Sequence, residues 1–296
     1  MMGKIKPKIS FSIWDLVCGV LILAAVSMLA LTVMGVSSRV VVSMAKPAPG
    51  ISANQAILMD GETGEILYEK NANTKAYPAS TTKIMTALLT IDRVEELHSD
   101  LKQKVKIPAD AVGVEGSSIY LAPGEAVSIE DLLYGLMLRS GNDAAVALSD
   151  IIGGNQEHFV ELMNAKAKAL GCKNTHFMNP NGLYDDNHYT TAYDMAVIAR
   201  EAMQNETFRR IAAAENWQAS REPDKYNYFY NKNKVVHQYK GGNGIKIGYT
   251  KASGRTLVAS AERDGRLLIC VVMNAPDWFN DSYALMNYGF GDDGNS

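Results

Sequence analysis

The stretch Thr256–Met273 reads TLVASAERDGRLLICVVM, two apolar runs joined by Asp264-Gly265. Asp-Gly between such runs is hairpin chemistry, because both residues tolerate the positive φ that a two-residue turn demands. The predicted strands are Thr256 to Ala261 and Leu267 to Met273. Two more strand-like runs precede them, Tyr226 to Tyr230 and Gly244 to Tyr249. Near the other chain end, Ala56 to Asp60 and Glu65 to Lys70 flank Gly61-Glu62-Thr63-Gly64 as a second hairpin. Between these regions the apolar period turns helical. Pro78 precedes a helix from about Ser80 to Leu89. Ser128 with Asp131 resembles a capping box opening another, with Leu132, Leu133, Leu136 and Met137 on one side. Further helices follow Asn142 as far as Gly153-Gly154, cover Phe159 to Leu170 with Gly171 as C-cap, and run from the Thr191/Asp194 cap to about Met203. A last one covers Trp278 to Asn287. Strands at both ends and helices between them imply an α+β fold. Its antiparallel sheet is assembled from both chain ends, with helices on its faces and an inserted helical subdomain.

The 296 residues can hold one large domain or two small ones with a sizeable core. An apolar share of 47% beside 21% charged residues fits a globular protein. Net charge is −3 and no long basic block occurs, which excludes nucleic acid as a main partner. Cys18, Cys172 and Cys270 show neither CxxC spacing nor a grouping with histidine. A Cys172–Cys270 disulfide stays open beside two buried free thiols. His98, His158, His176, His188 and His237 form no HExxH pair, so neither metal nor cofactor is expected.

Lys4, Lys6 and Lys8 precede an uncharged apolar run from Leu16 to Val36. As a helix it would span about 32 Å, against roughly 30 Å of bilayer hydrocarbon. The lysines keep that end in the cytoplasm and place the remainder outside. Arg39 after the run favours a permanent anchor, whereas Ser43-Met44-Ala45 offers the small residues a signal peptidase reads. Single-pass membrane attachment and secretion both stay open. Residues 1–45 are thus set apart as cytoplasmic stub plus anchor or signal, 46–52 as linker, 53–290 as the folded domain and 291–296 as a tail.

Ser80-Thr81-Thr82-Lys83 is a Ser-x-x-Lys motif. On a helix two side chains three residues apart face the same way, so a neutral Lys83 can take the proton of Ser80. Partial burial and the positive end of the helix dipole would both lower the lysine pKa. Alone the motif is weak, since Ser43-Met44-Ala45-Lys46 and Ser99-Asp100-Leu101-Lys102 match it too. Order supplies specificity. Ser140-Gly141-Asn142 falls at the break between two predicted helices, and Lys246-Ile247-Gly248 lies on a glycine-flanked strand. Decoys such as Ser52-Ala53-Asn54 and Lys240-Gly241-Gly242 do not complete an ordered set.

Pro78 to Thr86, Leu136 to Ala145, Phe177 to Leu183 and Gly244 to Thr250 together resemble the serine-type D-alanyl-D-alanine carboxypeptidases, the low-molecular-mass penicillin-binding proteins. The resemblance covers residues 53 to 290 and implies the β-lactamase/DD-peptidase-like fold. It also implies the chemistry. Ser80 attacks the carbonyl between two D-alanines ending a peptidoglycan stem peptide, terminal D-alanine leaves, and water releases the acyl group. Ser140 and Asn142 are implied to relay a proton to the leaving amine and to hold the substrate amide. Lys246, in the strand motif with Gly248, lends positive charge to the proton network and the substrate carboxylate. Backbone N–H groups of Ser80 and Tyr249 hold the oxyanion. β-Lactam antibiotics are implied as covalent inhibitors. Asn231-Lys232-Asn233 resembles a segment that carries a carboxylate-binding arginine in some relatives, although a solvated Lys232 is the simpler reading. Family members often continue into a β-rich domain and a carboxy-terminal anchor. Here Gly291 to Ser296 follow Phe290, so attachment is expected through the amino-terminal helix.

One position departs from the pattern. Ile247 stands where the family has threonine, whose hydroxyl bonds the substrate carboxylate. Such a bond is worth roughly 1.5–3 kcal/mol, or about tenfold to a hundredfold in efficiency. Reduced activity or altered preference is expected. Two rivals remain: a non-catalytic, membrane-tethered peptidoglycan-binding protein, and a β-lactamase. A class A β-lactamase needs a glutamate after the second motif, and Asn179 to Tyr189 holds only Asp185 and Asp186.

Overall fold

The computed structural model describes residues 47–292. The apolar run Leu16 to Val36 and the boundary at residue 45 lie outside them. Among the described residues no helix is long and apolar enough to cross a membrane.

Both hairpins form, and they meet. β1 (Gln55–Asp60) and β2 (Ile66–Lys70) come from one end of the described chain. β7 (Gly242–Thr250), β8 (Gly254–Arg263) and β9 (Arg266–Met273) come from the other. They build one antiparallel sheet in the order β2-β1-β9-β8-β7. β1 pairs with β9 from Gln55–Met273 to Asp60–Leu268, so the first and last strands lie side by side. At the β8–β9 turn Asp264 and Gly265 take φ of 51° and 78°, the values for which Asp-Gly is suited.

Successive residues of β1 alternate between two cores. Ile57 and Met59 join Val258, Ile269 and Val271 on one face, while Ala56 and Leu58 join Leu257, Ala259 and Cys270 on the other. Burial on both faces explains why these strands read as unbroken apolar runs. The first face is covered by α1 (Lys83–Glu96), α5 (Ala192–Gln204) and α6 (Glu206–Ala213). The second is covered by α8 (Trp278–Phe290), whose Leu285 and Met286 are fully buried. Beyond α1 stand α2 (Ile129–Tyr134), α3 (Asn142–Gly153) and α4 (Gln156–Ala169). Ser128 accepts from Asp131 N and Thr191 from Asp194 N, both at 3.0 Å, as the capping signals indicate.

Two expectations change. Ser80 is not on an α-helix: Ala79–Thr82 is a 3₁₀ turn, and α1 starts only at Lys83 and runs past Leu89 to Glu96. The run Tyr226 to Tyr230 does not join the large sheet. Its strand β6 (Tyr228–Tyr230) pairs with β5 (Asn216–Gln218), held away by Trp217, which stacks on Tyr134 at 3.8 Å and donates to Asp131 at 2.7 Å. Another small pair, β3 (Lys104–Lys106) with β4 (Ala126–Ser128), carried no strong pattern. Cys172 and Cys270 are free thiols, each pushed up to about 12 chiefly by burial.

Candidate active site

Segments distant in sequence converge on the turn Ala79–Thr82. Side chains at i and i+3 eclipse on a 3₁₀ turn, and Lys83 Nζ lies 3.1 Å from Ser80 Oγ. The lysine is completely buried and also donates to Asn142 Oδ1 at 2.7 Å and to the main-chain oxygen of Asn181 at 2.6 Å. Burial first, then the nearby charge of Lys246, holds its pKa well below the ordinary lysine range, while Asp143 opposes the shift. A neutral amine has two N–H bonds and one lone pair. Two carbonyl oxygens take the two N–H bonds, which leaves the lone pair for the hydroxyl of Ser80.

Asn142 is held so that its oxygen faces Lys83. Its Nδ2 donates to Glu115 O at 2.5 Å and its backbone N–H to Ser117 O at 2.7 Å. Gly116 is required beside it, since a Cβ there would lie 2.7 Å from Asn142 Nδ2 and φ is +96°. The wall loop is pinned in turn by the buried Asp143 carboxylate, which accepts from Ser118 Oγ at 2.6 Å and from Leu121 N at 3.1 Å. Ser140 follows the π-turn Gly135–Arg139 in the left-handed region, φ 64° and ψ 31°, and is 6% exposed.

β7 closes the opposite side. A Cβ on Gly248 would lie 2.9 Å from Ser80 N and 2.6 Å from Thr256 Oγ1, so only glycine lets the strand come this close. Tyr249, the next residue, is 63% exposed. Lys246 is buried, donates to Ile247 O at 3.1 Å, and is lowered to about 7 by burial and by Lys232. Lys232 is exposed, as the solvated reading expects, yet it is coupled to the site. Its backbone N–H donates to Leu138 O at 3.2 Å, partial desolvation and Arg139 lower its pKa, and its charge is felt by Lys83 and Lys246. Ile247 pairs with Leu257 and packs, partly buried, against the α8-side core, on the sheet face opposite Lys246.

Several contributors escape a reading by residue type. Asn181 acts through its main chain, which has no side-chain signature. Gly182 has φ +86°, and a Cβ there would lie 1.9 Å from Ala79 O, so the loop abuts the turn that carries Ser80. His188 is buried and accepts from Met178 N at its Nδ1 (3.1 Å), leaving Nε2–H to donate to Thr82 Oγ1 at 2.8 Å. Burial drops its pKa to about 4, so the ring is neutral and tethers this loop to the nucleophile turn. Asp185 and Asp186 are engaged inside the loop, with Asn187 N and the Tyr184 hydroxyl respectively.

The family profile described as D-alanyl-D-alanine carboxypeptidase, Peptidase S11, matches residues 42–277. The chain belongs to this family. It is 40% identical over 223 residues to D-alanyl-D-alanine carboxypeptidase DacF of Bacillus subtilis (strain 168), covering 75% of this chain and 57% of that protein. Several other curated relatives are likewise spanned over about three fifths of their length. DacB2 of Mycobacterium tuberculosis is 33% identical, with 82% of this chain and 84% of that protein covered. Among solved structures, the Streptomyces K15 DD-transpeptidase superposes with a TM-score of 0.77 at 33% identity, covering 83% of this chain and 100% of that one. The S11 fold thus accounts for the sheet built from both chain ends and for the helices packed on it.

Proposed function

We propose that this protein is a serine D-alanyl-D-alanine carboxypeptidase acting on peptidoglycan stem peptides, with Ser80 as nucleophile and Lys83 as base. The observation that carries the reading is the Lys83 environment: a buried amine whose N–H bonds go to Asn142 and Asn181, 3.1 Å from Ser80 Oγ. Ser80 Oγ bonds to the scissile carbonyl carbon as its proton passes to Lys83 Nζ. The oxyanion is held by the N–H groups of Ser80 and Tyr249. When the C–N bond breaks, Ser140 relays a proton to the departing amine of D-alanine, and Asn142 holds the substrate amide. Water then adds to the ester carbonyl and frees Ser80. Lys246 and Lys232 supply positive charge for the terminal carboxylate, and Gly248 lets the strand approach. β-Lactams acylate Ser80 by the same attack.

The lysines before the apolar run Leu16 to Val36 support attachment to the membrane through residues 1–45, with 46–52 as linker and the catalytic domain, 53–290, outside. Labelling by a fluorescent penicillin, lost in Ser80→Ala, with D-alanine release from a peptide ending in D-alanyl-D-alanine, tests the reading. Absence of both in the intact protein would overturn it. Rapid turnover of a cephalosporin would instead favour a β-lactamase.

A further inference from the structure

The wall loop that holds Asn142 has a second fastening, at the far end of α3. Its Glu115 and Ser117 carbonyl oxygens accept from Asn142. From there the chain leads back through Val114 and Val112, both packed on the core, to the 3₁₀ turn Ala109–Ala111, whose Ala111 is fully buried. That turn packs on α3. The helix rises about 12 Å from Asn142 to Asp150, so the loop follows α3 from its first turn to its last.

α1, α4, α6 and α7 (Val235–Gln238) carry the basic side chains Arg93, Lys166, Arg210 and His237 in their last turns, where the negative end of the helix dipole favours them. α3 carries none, and Asp150 stands there instead. Its Oδ2 is sealed from solvent and has no hydrogen-bond donor. The carboxyl group of Asp110, on the 3₁₀ turn, stands within hydrogen-bonding reach of it. Two carboxylates thus meet acceptor to acceptor, and a proton between them turns the contact into a bond. Burial and the charge of Asp110 raise Asp150 to about 6, while the N–H of Gln156 opposes the shift. Other charges on the packed elements are engaged elsewhere. Asp143 holds the wall loop, α1 has Asp92 with Lys166 and Arg93 with Glu96, and α2 has Glu130 with Arg210 and Asp131 with Trp217. On α4, Glu157 is exposed and His158 pairs with Glu161.

We propose that Asp110 and Asp150 form a proton-operated clasp on the wall loop. With one proton shared, the two carboxyls bond and hold the loop along α3. With both ionised they repel, the turn lifts, and the grip of Glu115 and Ser117 on Asn142 loosens. The proton comes from solvent, which reaches the exposed Asp110. A carboxyl raised in the folded protein stabilises the closed form below the ordinary carboxylate range, and that advantage is lost as pH rises through about 6. The clasp is therefore closed at pH 5 and open at pH 7.5.

Hydrogen exchange of the full chain, in detergent and with EDTA present, tests the clasp. After correction for intrinsic rates, amides of residues 112–118 in the unaltered protein should lose about tenfold in protection between pH 5 and pH 7.5. Asp150→Asn, whose carboxamide donates to Asp110 across this range, should keep the pH 5 protection throughout. Penicillin acylation reads the consequence at Asn142: the ratio of variant to unaltered rate should climb from about one at pH 5 to about tenfold at pH 7.5. Protection that does not change with pH in the unaltered protein would overturn the proposal. So would the same pH dependence in Asp150→Asn, or a rate ratio that stays at one while the loop responds. If Asp150→Asn fails to fold, Asp110→Asn removes the same repulsion from the exposed side and decides by the same readings. If penicillin labels at no pH, the carboxypeptidase reading fails, and exchange alone decides on the clasp.

Discussion

Two sides of the same cleft are built on opposite principles. On the Ser80 side, Lys83 is wholly buried and Asn142, Asn181 and Ser80 surround its amine. On the β7 side, Ile247 offers no donor, and Tyr249 is 63% exposed. The contrast follows from what each side must do. A base working near neutral pH has to be neutral, which requires a dry site with acceptors that fix it. A side that receives a carboxylate has to keep positive charge, which requires access to solvent. In the proposed mechanism Lys246 stands between these demands, buried like Lys83 yet used as a cation, and burial with the nearby charge of Lys232 lowers its pKa to about 7.

The contrast can be broken most severely at Lys83. Lys83→Met keeps the volume but removes the base, and penicillin acylation measured by stopped flow should fall by about 10²–10⁴-fold. A smaller loss would mean another group takes the proton. The open side should respond in the other direction. A donor brought to the carboxylate by Ile247→Thr is worth roughly 1.5–3 kcal/mol, so kcat/KM for D-alanine release should rise about tenfold to a hundredfold where the threonine hydroxyl turns out of the α8-side core that Ile247 packs against. No rise would indicate that the outward packing of Ile247 against Leu257 keeps a hydroxyl from the carboxylate.

Asp143→Asn probes what supports the closed side. It removes the charge that accepts from Ser118, Ile119 and Leu121, and should lower unfolding stability by about 2 kcal/mol in a denaturant titration. An unchanged midpoint would show that the wall loop holds without it. The smallest effect is the pH response of Lys246. Its depressed pKa means the amine is charged below about 7 and loses that charge above it. In the free protein, kcat/KM for a carboxylate-bearing peptide should therefore decline above pH 7, by about tenfold per unit at the limit. Lys246→Arg should flatten that limb, because a guanidinium stays protonated.

Local signals made much of the architecture legible. Asp264-Gly265, the apolar runs of β8 and β9, and the caps at Ser128 and Thr191 each depend on neighbours within a few residues. The ordered trio Ser80/Lys83, Ser140/Asn142 and Lys246 was legible for the same reason, as short motifs on recognisable elements. The sequence by itself therefore determined most of the element types, the α+β class and the ordered motifs on which the proposed chemistry rests. Only the tertiary structure decided that Ser80 sits on a 3₁₀ turn, that β6 leaves the main sheet for Trp217, and that Ile247 packs away from Lys246. It alone brought the Asn181 carbonyl onto Lys83 and set the charge of Lys232 near enough to lower the Lys83 pKa. The physical reason is that burial, main-chain acceptors and the mutual repulsion of three lysines arise from contacts between distant segments, and no local pattern encodes them.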